Sequence, residues 1–122
     1  MARILRNLTL HEQQEAYRAL TARAGFFLTR EAEGVLVGPG EAGLQEAKER
    51  LATLLRESAH RGEAVLVGGH TAAWLAAVLA LQSSGERLPP LYYFETERMR
   101  DDRGRFVFVP DRLLRIPYYR WE

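Results

Sequence analysis

Ala64 to Leu81, AVLVGGHTAAWLAAVLAL, constrains this chain more than any other stretch. It is a short β-branched apolar run, two glycines with His70 and Thr71, and then a helix that is apolar on every side. A strand apolar on both faces belongs in a parallel sheet covered by helices. The glycines allow a sharp turn and a close backbone approach. The helix then begins with its free N–H groups at the strand's C-terminal end, an arrangement that favours anions. In open α/β sheets ligands bind along that same edge. The spacing predicts a phosphorylated ligand held by Gly68, Gly69, His70 and Thr71. A purely structural reading stays open, in which the glycines make a tight turn and Thr71 caps the helix. The P-loop spacing and its lysine are missing, as is the G-x-G-x-x-G fingerprint.

The remaining elements fit the same architecture. Arg3 to Leu8 predicts a strand, and Thr9 with Glu12 predicts a capping box for a helix running to about Ala24. Phe26 to Leu28 and Val35 to Val37 are weaker strand candidates around a polar turn. Leu44, Ala47, Leu51, Leu54 and Leu55 make the apolar stripe of a helix ending near His60. Leu91 to Phe94 predicts a second buried strand, neighbouring Ala64 to Val67 at the centre of the sheet. Glu95 to Gly104, dense in charge, predicts an exposed loop. Phe106 to Val109 and Leu113 to Ile116 predict a closing hairpin around Pro110-Asp111. The expectation is one α/β domain over residues 1–122, Rossmann-like, with a mostly parallel sheet flanked by helices and a C-terminal β-hairpin.

Composition narrows the function. The chain has 122 residues, 47% hydrophobic and 27% charged, with a net charge of +1. These values suit a single globular domain with a real core. With no cysteine, disulfides, thiolate catalysis and zinc–thiolate sites are excluded. No apolar run is long enough to span a membrane and the N-terminus lacks a leader's apolar region, so the cytoplasm is the expected location. Lys48 is the single lysine against 16 arginines. Arginine suits bidentate phosphate binding, although a GC-rich or thermophilic genome produces the same bias. The three histidines lack metal-ligand spacing and no acidic cluster accompanies them, so neither a metal nor another cofactor is expected.

Further site candidates follow from placement. Asn7 and Thr9, after the first strand, face the Gly68 turn in a doubly wound sheet and offer donors to a ribose or phosphate. His11 follows them and reaches the same edge. His70 can bind phosphate or serve as general acid or base. Thr96 and Arg98 follow the Leu91 strand at that edge, and the arginine can stabilise transition-state charge. A solvated charge run is the competing reading there. Trp74 is a base-stacking or core residue. The aromatic tail Tyr118-Tyr119-Arg120-Trp121 reads as a docking or subunit contact.

Three motifs together resemble a known family. They are Asn7-Leu8-Thr9-Leu10-His11-Glu12-Gln13-Gln14 after the first strand, Val65-Leu66-Val67-Gly68-Gly69-His70-Thr71-Ala72-Ala73-Trp74, and Gly85 through Arg98, followed by a closing aromatic and basic segment. In that order the chain resembles the small standalone CRISPR-associated Rossmann-like (CARF-type) proteins of type III CRISPR systems, the ring nuclease family. The match departs at Gly25 to Gly43. The resemblance implies a homodimer that binds cyclic oligoadenylate, cyclic tetra-adenylate first among them, across its two-fold axis, with no DNA and no membrane partner. It also implies metal-independent cleavage by attack of a ribose 2′-hydroxyl on the adjacent phosphate, with Arg98, His70 and Thr9 as catalytic candidates. Asn7, His11, Gly68, Gly69, Thr71 and Thr96 are then ligand contacts. Binding-only sensors and unrelated nucleotide- or phosphate-binding modules remain the alternatives, because a fold does not fix a function.

Overall fold

The computed structural model describes residues 2–117. The order is β1 (Arg3–Asn7), α1 (Glu15–Arg23), β2 (Phe26–Leu28), α2 (Gly40–Arg61), β3 (Ala64–Leu66), α3 (Thr71–Ser83), β4 (Leu91–Arg100) and β5 (Phe106–Arg115). One five-stranded sheet runs β2-β1-β3-β4-β5. β1 pairs in parallel with β2 and with β3, β3 pairs in parallel with β4, and β4 with β5 is antiparallel.

The sheet is therefore mixed, which corrects the mostly parallel expectation. The antiparallel ladder joins two strands of 10 residues, whereas β2 and β3 have 3 each. Glu95 to Arg100 is strand, not loop, and the hairpin turns at Asp101 to Arg105, not at Pro110-Asp111. Glu95 faces Arg112 and Thr96 faces Pro110, so Asp111 is the extra residue of a bulge. A bulge leaves one residue unpaired, which accommodates the proline's missing N–H inside the strand.

Two apolar layers sandwich the sheet. α2 and α3 cover one face with Leu51, Leu55, Ala73, Ala77 and Leu81 over Val65 and Leu91. On the other face Leu5, Phe26, Leu28 and Leu66 pack with Tyr92 and Phe94, and Tyr17 of α1 meets Phe94 edge to face at 4.7 Å. β3 is fully buried along its length, as its two-sided apolar sequence requires.

The chain passes from β1 outward to β2, then returns across β1 to β3. The direction of winding reverses between β1 and β3, so the open edge beyond Asn7 and Leu66 is the topological switch point of the sheet.

Among the described residues no helix is long and apolar enough to cross a membrane.

Candidate functional site at the switch point

Beyond Leu66 the backbone reaches Gly68 and Gly69 before α3. Gly69 has φ +103°, a conformation that L side chains rarely adopt, so glycine is required there. His70 is the N-cap, and its imidazole Nδ1 accepts from the Ala73 N–H at 3.3 Å. His70 is therefore held by the helix it caps. The Trp74 N–H donates to the His70 carbonyl. Thr71 and Ala72 keep first-turn N–H groups that have no intrahelical acceptor. The Trp74 indole N–H donates to the Gly68 carbonyl at 2.8 Å and fixes the turn from behind. That contact is structural, and it leaves the indole no free donor for a ligand.

The loop after β1 lies directly against this turn. A Cβ on Gly68 would sit 3.0 Å from the Thr9 methyl, and one on Gly69 would touch Leu10. The structure thus brings Thr9 beside Gly68, as the switch-point topology predicts. Asn7 plays a different part. It is fully buried, its Oδ1 accepts from the Thr9 backbone N–H and hydroxyl, and its Nδ2 donates to the His11 carbonyl. With both ends of its amide engaged, Asn7 shapes the loop and presents nothing to a ligand. The Thr9 hydroxyl is shared with Asn7, the His11 carbonyl and Gln13. His11 lies exposed on the same loop. The capping box does not form: α1 starts at Glu15 with Gln14 as its N-cap, because the Thr9 hydroxyl is spent within its own turn.

A strap crosses over this loop, and it is the stretch where the sequence signalled least. Thr29 to Pro39 contains no strand, although Val35 to Val37 reads as one. The N–H groups of Glu33 and Gly34 donate to the carbonyls of Asn7 and Thr9, each at 2.9 Å. A Cβ on Gly34 would meet the Thr9 carbonyl at 2.5 Å, so only glycine fits. Arg6, 6% exposed within β1, anchors the strap. Its guanidinium forks onto both oxygens of Glu33 at 2.7 and 2.9 Å and also reaches Glu57 and Ser58 of α2. The hydrogen bonds that Arg6 donates hold the Glu33 carboxyl below the usual carboxylate range, and the same bonds raise the Arg6 guanidinium above its ordinary value. The one hint in the sequence is Arg6 directly after the apolar pair Ile4-Leu5 of β1.

Arg98 and Thr96 are not brought to the turn within one subunit. Tyr92 is level with it, since its carbonyl accepts from the Val67 N–H. Arg98 lies six residues farther along β4, about 20 Å at the rise of a strand. It stacks on the Phe106 ring at 3.5 Å.

Beside the turn opens a cavity of about 740 Å³ walled by Gly68, Gly69, Trp74, Leu75, Leu79 and Ile116. Among the described residues no charged side chain lines it. Leu75 and Leu79 are more than half exposed. A helix apolar on all sides is normally covered on all sides, and among the described residues nothing covers the outer face of α3 at Leu75 and Leu79. The tail Tyr118-Tyr119-Arg120-Trp121 lies outside the described residues. Among the described residues, no three His, Asp or Glu side chains converge as a metal site would need.

Compared with protein-family models, with curated proteins and with solved structures, the chain gives no match in any of the three.

Proposed function

We propose that this protein binds a cyclic oligoadenylate at the Gly68–Thr71 turn as a homodimer and cleaves it without a metal. The observation that carries the reading is the turn itself. A Gly-Gly bend at the switch point aims the unclaimed N–H groups of Thr71 and Ala72 outward, where a phosphate gains from them and from the helix dipole. The adjoining cavity gives apolar surface for a base. The uncovered face of α3 continues from that cavity and supplies a subunit contact next to the turn, and a two-fold ligand suits a two-fold site. Cleavage by a ribose 2′-hydroxyl asks for positioning and charge stabilisation. His70 stands at the turn for the first, with Thr9 packed behind it as a support of the turn. Arg98, about 20 Å farther along β4, does not reach the turn of its own subunit for the second.

That distance favours a second reading, a sensor that binds the ring and leaves it intact.

The substitution Thr71→Asp tests the site. A carboxylate in the first turn of α3 leaves stability unchanged or raises it by about 0.3–1 kcal/mol. It also repels a bound phosphate. Affinity for cyclic tetra-adenylate is expected to fall at least tenfold while thermal stability holds. Unchanged affinity would remove the turn from the site. Gly69→Val, which blocks close approach and strains the backbone, is expected to abolish binding. Products formed in chelator should carry 2′,3′-cyclic phosphate ends. Tight binding without turnover selects the sensor, and activity restored only by manganese overturns the mechanism. Light scattering that shows a monomer at micromolar concentration overturns the dimer.

A further inference from the structure

The outer half of the β4–β5 hairpin stands clear of the sheet. β3 pairs with β4 at Leu91 and Tyr92, so the strand beyond the bulge is held by β5 alone. The arm leaves from the same edge as the Gly68 turn, and its two faces differ in chemistry. Residues opposite one another across an antiparallel pair share a face, as do alternate residues along a strand. One face therefore carries Arg98 opposite Phe108 and Arg100 opposite Phe106. The other carries Glu97, Met99, Val107 and Val109.

The basic face is preorganised. The Arg98 and Arg100 guanidinia lie 3.5 and 4.7 Å from the Phe106 ring centroid. Elsewhere on the hairpin Arg105 is tied to Asp101 and Arg112 to Glu95 and Asp111, while Arg103 in the turn and Arg115 near the base have no ion pair among the described residues. Among the described residues Arg98 and Arg100 have no carboxylate partner. Phe106 is 50% exposed and Phe108 65%, and among the described residues neither belongs to a hydrophobic cluster. Exposed rings flanked by unpaired, stacked guanidinia match the two parts of a single-stranded nucleic acid. Bases stack on aromatic faces, and phosphates take the cations.

We propose that this face of the arm is a binding platform for single-stranded RNA, separate from the Gly68 turn. A base lies on Phe108 while Arg98 and Arg100 hold the neighbouring phosphates. The positive charge and the aromatic surface occur together on this face and are absent from the acidic, aliphatic back. That segregation favours a polyanion with bases over an apolar protein partner.

The test uses the full chain, a labelled 12-nucleotide single-stranded RNA and, in parallel, cyclic tetra-adenylate. Both positions to be changed are exposed, so the fold tolerates substitution. Phe108→Ala is expected to weaken RNA binding about fivefold or more, the loss of one stacked base. Arg100→Gln is expected to weaken it and to lower the slope of log affinity against log salt by about 0.7, the signature of one lost phosphate contact on a single strand. Thr71→Asp is expected to leave RNA binding unchanged, so this platform and the turn can fail independently. Three results overturn the proposal. One is an unmodified protein whose dissociation constant for the RNA exceeds about 100 µM, the weak end of non-specific binding. Another is unaltered affinity and salt slope in both variants. The third is a Phe108→Ala protein that sediments as a monomer where the unmodified chain is a dimer, which would make the face a subunit contact.

Discussion

Two loops meet at the open edge of the sheet, and they use their polar groups in opposite ways. The loop after β1 turns inward. Asn7, Thr9, His11 and Gln13 satisfy one another, and the strap takes the remaining carbonyls. The turn after β3 faces outward. Its glycines carry no side chain to fill the space, and Thr71 and Ala72 retain backbone donors. The side chains that look most like ligand contacts in a sequence, an Asn and a Thr after a strand, are the ones consumed by the backbone. Leaving a strand without an immediate helix exposes carbonyls and N–H groups that must find partners, and a short amide or hydroxyl is the cheapest local partner. The β3 turn avoids this need because α3 begins at once.

The inward loop depends on its anchor, and removing that anchor gives the largest expected effect. Arg6→Ala leaves Glu33 and Glu57 without their shared cation and frees the strap. Breaking these part-buried, charge-assisted hydrogen bonds is expected to lower the unfolding free energy by about 1.5–3 kcal/mol, measured by chemical denaturation. A loss under about 1 kcal/mol would mean that the strap is held by its backbone bonds alone, and the contrast between the two loops would weaken.

The same pair gives the inward loop an acid sensitivity. Glu33 is held below its ordinary range by hydrogen bonds from Arg6. The unfolded chain therefore takes up a proton at higher pH than the folded one. The stabilisation is complete above the ordinary carboxylate pKa and is lost as pH falls through the lowered folded value. Glu86, drawn to about 2 by hydrogen bonds from the exposed Arg56 and from Ser84, acts in the same direction, but salt screens an exposed pair. In about 0.5 M salt, melting curves from pH 7 to 3 should show a smaller acid loss in Arg6→Ala than in the unmodified chain. Equal losses would assign the sensitivity elsewhere.

What the sequence disclosed follows from what is local. β3, the turn and α3 were legible because an apolar run, two glycines and an apolar helix are each specified by neighbours in the chain. The central placement of β3 beside β4 followed from their two-sided apolar character. The arm was not legible. Glu95 to Arg100 looks like a solvated loop because its strand pairing is set by Phe106 to Arg112, and the Pro110-Asp111 turn signal is absorbed by a bulge. The strap was hidden for a similar reason, since its partners, Arg6 and the carbonyls of Asn7 and Thr9, lie more than twenty residues away. At the site itself, Gly68 and Thr9 could be placed on one edge, but not the exhaustion of Asn7.

The smallest expected effect tests whether the two loops act as one surface. A methyl on Gly68 would fall 3.0 Å from the Thr9 Cγ2 and 3.4 Å from its Cβ, and no other neighbour among the described residues lies within reach. Gly68 does not have a positive φ, so alanine brings crowding there without backbone strain. Gly68→Ala should therefore cost about 1 kcal/mol, at the low end of overpacking. Thr9→Ser removes the methyl in the way and keeps the hydroxyl that serves Asn7 and Gln13. In the double variant the serine gives the new methyl room, and most of the loss should return. A double-mutant cycle measures this directly, with a coupling of about 0.5–1 kcal/mol expected for groups in contact. Additive losses would mean that the loops move apart freely, and that the inward loop cannot set the position of the outward one. A coupling of the expected size would make Thr9 a support of the Gly68 turn whether or not it touches the ligand.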